Sequence, residues 1–267
     1  MAVLAMLAGT ARAEATKDSA CPDATEATLR ALLARSAETK IASGSELREL
    51  DCATLSGASG DEQVAIANFV DLGQETLETR AERYTLVLAT LDLSAHRVRR
   101  HAVVRTGEDA TTAFHGENLA LDLRFQDIAP GGGVIGVVAT SSALGASAPD
   151  NQWGDEFALY VPEGTRFRRV LGLARFRQEA IEGCVSMQCR GARWIETTAS
   201  LSPAGTDDHG WRRLTLRLEA TEEAVEPAVP ESAPTTTTLT LVQRDGVYRT
   251  EAGDPPPGSD YFGLVAW

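Results

Sequence analysis

Apolar positions recur at helical spacing in only one early stretch of the chain. Leu29, Leu32 and Leu33 fall on one face, Asp23 stands where an N-cap would, and Glu26 follows it in the relation of a capping box. A helix is expected there, and a second, shorter one over Ser45 to Asp51. From Val64 onward the period changes to two. Ala65 to Val70, Tyr84 to Leu88, His96 to Val104, Leu119 to Phe125 and Val134 to Val138 each read as a strand. Phe157 to Val161 and Phe167 to Leu171 flank Pro162-Glu163-Gly164 as a hairpin, and Trp194 to Leu201 and Trp211 to Leu218 follow. Leu239 to Val242 and Val247 to Arg249 flank Asp245-Gly246, a dipeptide that tight turns favour, and the apolar end from Tyr261 to Trp267 reads as a last strand.

So many short strands with no helices between them predict a mainly β protein: an antiparallel all-β body with a short helical N-terminal cap. The body is a β-sandwich or a small or incomplete propeller-like arrangement of hairpins. The propeller reading rests on a weak repeat. Tyr84 to Leu88 with His96 to Arg100 resembles Phe157 to Val161 with Phe167 to Val170, and both resemble Leu239 to Val242 with Val247 to Arg249. Each is an apolar strand, a turn, and a return strand bearing aromatic or basic residues. Residues 14–60 form the cap and 61–267 the β domain. One stretch, 219–238, is acidic, carries Pro227, Pro230 and Pro234, and ends in four threonines; it is expected to be a disordered excursion between two strands.

Four cysteines, Cys21, Cys52, Cys184 and Cys189, permit three pairings. Proximity favours Cys21 with Cys52, tying the two expected helices together, and Cys184 with Cys189 across a tight loop. A structural zinc site would want two close pairs, and only one is present, with no histidine nearby. Residues 1–13, MAVLAMLAGTARA, join a short apolar run to the small-x-small pattern that signal peptidase prefers. They read as a signal peptide whose start lies upstream of Met1, so the protein is expected in the periplasm or outside the cell. Cys21 lacks the aliphatic residue three positions before it that a lipid-anchoring site wants. No apolar run long enough for a transmembrane helix follows, and the low aromatic content argues against a membrane β-barrel.

The formal charge of −13 would become −14 once Arg12 is cleaved away with residues 1–13. A field of that sign disfavours nucleic acid and anionic lipid as partners. Arginine supplies almost all the positive charge, since Lys17 and Lys40 are the only lysines; the bias reads as genome composition.

Candidate chemistry is sparse. Gly131 to Gly136 matches G-x-G-x-x-G, but the apolar β-branched run after it is a strand, not the helix a dinucleotide site needs. No G-x-S-x-G is present, and His96, His101, His115 and His209 sit without an evident serine and acid beside them. Asp207-Asp208-His209-Gly210 is the densest polar cluster. It carries metal-ligand types, yet Asp and Gly are also what turns use. Trp153 and Trp211 stand near turns and can present aromatic faces.

The sequence therefore points to an exported, acidic binding module for a protein or glycan, without cofactor or metal. Candidate contact residues are Trp153, Asp207, Asp208, His209 and Trp211. A periplasmic hydrolase of glycans or esters, assembled from scattered acids and histidines, is the alternative.

Overall fold

The computed structural model describes residues 21–35, 45–55, 62–71, 83–107, 112–114, 119–143, 151–180, 193–224 and 233–259. The expected signal segment, His115, Cys184, Cys189 and the expected C-terminal strand lie outside them. One helix, α1 (Ala24–Arg35), precedes thirteen strands: β1 (Glu46–Thr54), β2 (Glu62–Asp71), β3 (Arg83–Asp92), β4 (Arg97–Gly107), β5 (Thr112–Phe114), β6 (Ala120–Asp122), β7 (Ile135–Ala143), β8 (Asn151–Glu163), β9 (Arg166–Ala180), β10 (Arg193–Thr206), β11 (Arg212–Ala224), β12 (Thr235–Arg244) and β13 (Val247–Thr250). The antiparallel all-β body and its N-terminal helix are as the periodicity predicts.

Strand pairing follows sequence order twice. β1 to β4 form one antiparallel meander and β7 to β13 another, with β5 and β6 added on the free edge of β7. The meanders join at one parallel residue pair, His101 on β4 with Arg166 on β9. All thirteen strands thus belong to one branched, open sheet rather than to separate propeller blades. At the far side, β1 and β6 meet through side chains. The Glu49 carboxylate accepts from the Leu119 amide at 2.9 Å, and that of Asp51 from the Leu121 amide at 2.8 Å. Two carboxylates here stand in for a backbone ladder.

Alternation along the strands distributes the apolar side chains among three cores. On β2, Val64, Ile66 and Val70 face a first core shared with Leu86, Leu88, Ile135, Val137, Tyr160 and Phe167. The intervening Ala65, Ala67 and Phe69 face a third core, where α1 lays down Leu29 and Leu33, both fully buried. β8 is shared likewise: Ala158 and Tyr160 point into the first core, Phe157, Leu159 and Val161 into a second built with β9, β11 and β12. Burial on both faces explains why these strands are nearly continuous apolar runs. At Gly136 the β7 backbone passes so close to β6 that a Cβ would stand 2.7 Å from the Asp122 carbonyl oxygen.

The bond from Cys21 to Cys52 is formed, with a Cα–Cα distance of 5.3 Å. It staples α1 to β1, helped by Arg30, which donates to the Ser45 carbonyl at 3.0 Å and lies over the Phe69 ring at 5.1 Å.

Three expectations need correction. Ser45 to Asp51 is not helical: Glu46 onward is β1, paired from Glu46 opposite Val70 to Thr54 opposite Gln63. Helix formers such as Glu, Leu and Arg are overridden there by a sheet edge that needed a partner. Leu119 to Phe125 is extended only over β6; Asp122 then caps a single 3₁₀ turn over Leu123–Phe125. The excursion over 219–238 is shorter than its composition suggests, because Glu219 to Ala224 continue β11 and the threonines open β12, with Glu219 opposite Thr236. Threonine's β-branching suits a pleated strand once a neighbour exists to pair with.

Candidate functional site

Of the residues singled out in the sequence, Asp207, Asp208, His209 and Trp211 fall in one turn between β10 and β11. The Asp207 carboxylate accepts from the amides of His209 and Trp211, each at 2.9 Å, while its own amide donates to the Trp211 carbonyl at 2.7 Å. Gly210, at φ +82°, completes the reversal. Asp207 is thus engaged in holding its own loop, in the manner of an Asx turn. Trp211 is half-buried, edge-on to Tyr248 at 6.2 Å, and Tyr248 donates to the Arg212 carbonyl at 2.8 Å. Asp208 and His209 are exposed at the tip. Trp153 lies elsewhere. It pairs with Arg177 on β9, near the level of Thr197 on β10. Asp207 is ten residues further along that strand, on the order of 30 Å at the rise of a strand. The structure does not bring these candidates together, and among the described residues no group of three or more His, Cys, Asp or Glu could hold a metal ion.

A different site forms where the two meanders separate. The β8–β9 hairpin turns at Gly164, φ +60°, and delivers Arg166 beside His101, whose amide donates to the Thr165 carbonyl at 3.2 Å. Past this bridge β4 stays with β3 and β9 stays with β8, and the gap between them is a cavity of about 530 Å³. A bulge in β9 shapes its floor. Leu159 pairs with Leu171 but Tyr160 pairs with Arg169, so Val170 and Leu171 both join the second core while Arg169 keeps the side of Tyr160. Tyr160 is 1% exposed yet lines the cavity, and Phe167 lies beside it.

Charge concentrates here against the sign of the whole chain. Arg105 enters from β4, and Arg166, Arg168 and Arg169 from β9; among the described lining residues the only carboxylate is Glu163. Arg168 lies 3.3 Å from that carboxylate through its Nε and donates through Nη1 to the Gly246 carbonyl. His101 is held below its ordinary pKa, first by burial and then by the Arg166 charge, so its ring is neutral at neutral pH. Burial pushes the Tyr160 hydroxyl well above its ordinary range; Arg169 opposes that shift and Glu156 adds to it. The cavity therefore sets several permanent cations above a buried, neutral phenol. Guanidinium forks match the oxygens of carboxylate, phosphate and sulfate.

Little in the residue pattern singles out this cleft, since the arginines read as genome composition and His101 as one of four histidines without an evident serine and acid beside it. One signal was present. The basic return strands of the first two hairpin repeats, β4 and β9, are the two that meet.

Compared with protein-family models, with curated proteins and with solved structures, the chain matches none significantly.

Proposed function

We propose that the protein is an exported binding module that engages a protein or glycan through the arginine-lined cleft between β4 and β9. The observation that carries this reading is the gathering of Arg105, Arg166, Arg168 and Arg169 around one concave site of about 530 Å³ in a chain of net charge −13. That volume lies in the range of ligand sites, and a few convergent polar groups over an aromatic floor are what such sites use. Export is supported by the signal-like segment at residues 1–13, by the Cys21–Cys52 bond, which oxidising compartments sustain, and by the lack, among the described residues, of a helix long and apolar enough to cross a membrane.

The test is affinity capture from cell-envelope extract with the oxidised chain as bait. Three baits are compared: wild type, an Arg166→Glu/Arg169→Glu variant, and Asp208→Ala/His209→Ala at the β10–β11 turn. A protein or glycan held stoichiometrically by wild type and the turn variant, but lost from the arginine variant, is the expected result. Equal capture by all three baits overturns the assignment of the cleft.

A further inference from the structure

Resting on the reading of the cleft as the recognition surface, we propose that what it takes is an oligo-anionic group of small-molecule size, a ligand or ligand terminus bearing two or more carboxylate, phosphate or sulfate groups. Continued in parallel from His101 opposite Arg166, the strands would set Val104 level with Arg169 and Arg105 level with Val170. β4 and β9 part instead, and Arg105 from β4 and Arg169 from β9 both line the cavity that opens between them. Arg166 belongs to the β9 wall nearer the bridge, while the Arg168 guanidinium is engaged by Glu163 and the Gly246 carbonyl. Four residues separate Arg105 from His101, roughly 13 Å of strand, so the cations are distributed along the cleft rather than focused on one point. A single oxyanion would meet one or two of them; a ligand with two or more anionic groups spans the set.

Size narrows the ligand further. A cavity of about 530 Å³ suits a small molecule or a terminal residue, whereas a flat protein interface buries on the order of 800 Å² from each partner. Beneath the lining, the buried Tyr160 hydroxyl keeps its proton and so adds no charge that would repel an anion. His101, neutral for the reasons given above, can also accept a hydrogen bond from a ligand hydroxyl. The guanidiniums remain charged at any physiological pH, so attraction to anions is a permanent property of the site.

Calorimetric titration of the whole oxidised chain tests this, with citrate, inorganic phosphate and inorganic sulfate as probes at constant ionic strength set by sodium chloride. The expected result is saturable one-to-one binding of at least one probe, weakened roughly tenfold or more by Arg166→Gln or by Arg169→Gln. Arg166 is exposed, so its variant reports on the site without disturbing a core. Citrate binding most tightly points to a polycarboxylate as the natural group; phosphate or sulfate binding most tightly points to that ester instead. No binding beyond the chloride background, or binding that both variants leave unchanged, overturns the inference. The two readings fail separately. If no probe binds while envelope capture still requires Arg166 and Arg169, the anion inference falls and the cleft stands. If probes bind in the cleft while capture ignores it, the functional reading falls and the anion site stands.

Discussion

Removing the Cys21–Cys52 bond with a Cys21→Ala/Cys52→Ala variant should cost the protein a large part of its stability. The two residues are 31 positions apart, and closing a loop of that length in the unfolded chain contributes about 3.7 kcal/mol at 25 °C in the chain-entropy account. Domain stabilities are about 5–15 kcal/mol, so the loss is visible by any unfolding probe. The native contacts around the staple should survive it. Leu29 and Leu33 are fully buried against β2 and β3, and burying each contributes about 2 kcal/mol. Arg30 still reaches the Ser45 carbonyl. The helix is therefore expected to stay docked, and the effect to appear as lower global stability rather than as a detached N-terminus. Urea unfolding followed by tryptophan fluorescence and far-ultraviolet circular dichroism measures it, with the midpoint giving the change and coincidence of the two probes confirming one transition. A loss below about 1 kcal/mol would refute the entropic reasoning. A normal fluorescence midpoint with early loss of helical signal would refute the claim that α1 packing outlasts the staple.

Other outcomes follow from particular contacts. Gly136→Ala should lower stability by about 1–3 kcal/mol in thermal denaturation, because its Cβ would stand 2.7 Å from the Asp122 carbonyl oxygen and 3.2 Å from the Phe157 ring. Asp92 takes hydrogen bonds from Arg99, Ser94, Ala95 and Arg97 in the β3–β4 turn, and these, with the Arg99 bond foremost, hold its carboxyl well below the usual carboxylate range. Its folded pKa lies below its unfolded one, so it stabilises the fold above the ordinary value of 3.8 and loses that contribution as pH falls below it. Asp92→Asn should flatten this part of an acid-unfolding profile while lowering stability at neutral pH. Asp207→Ala removes the acceptor of two turn amides and should cost about 1 kcal/mol in urea unfolding while leaving ligand capture intact.

How far the residues alone disclose this molecule depends on whether the determinant is local. The β2, β3 and β8 runs are legible because alternation and apolar content are properties of each segment, and the Cys21–Cys52 pairing because the two residues are close in sequence. β1 is not, since Glu46 to Thr54 has helical composition and becomes a strand only because the edge of β2 needs a partner. The threonines at Thr235 to Thr238 look like loop until Glu219 to Ala220 lie beside them. The cleft is the extreme case. Arg105 on one meander and Arg169 on the other are 64 positions apart in sequence and share a cavity because of one parallel residue pair and one bulge. Only the weak hairpin repeat, whose basic return strands become β4 and β9, hints at that juxtaposition. Asp207 errs in the opposite direction: its polar cluster is conspicuous in sequence, and its carboxylate is engaged in holding its own turn.

The central claim, that recognition takes place between β4 and β9, is tested most directly by hydrogen-exchange mass spectrometry on the oxidised chain with and without its captured partner. Slowed exchange confined to residues 101–107 and 160–169 is the predicted result. Protection centred on residues 206–211, with exchange along β4 and the start of β9 unchanged, would contradict it.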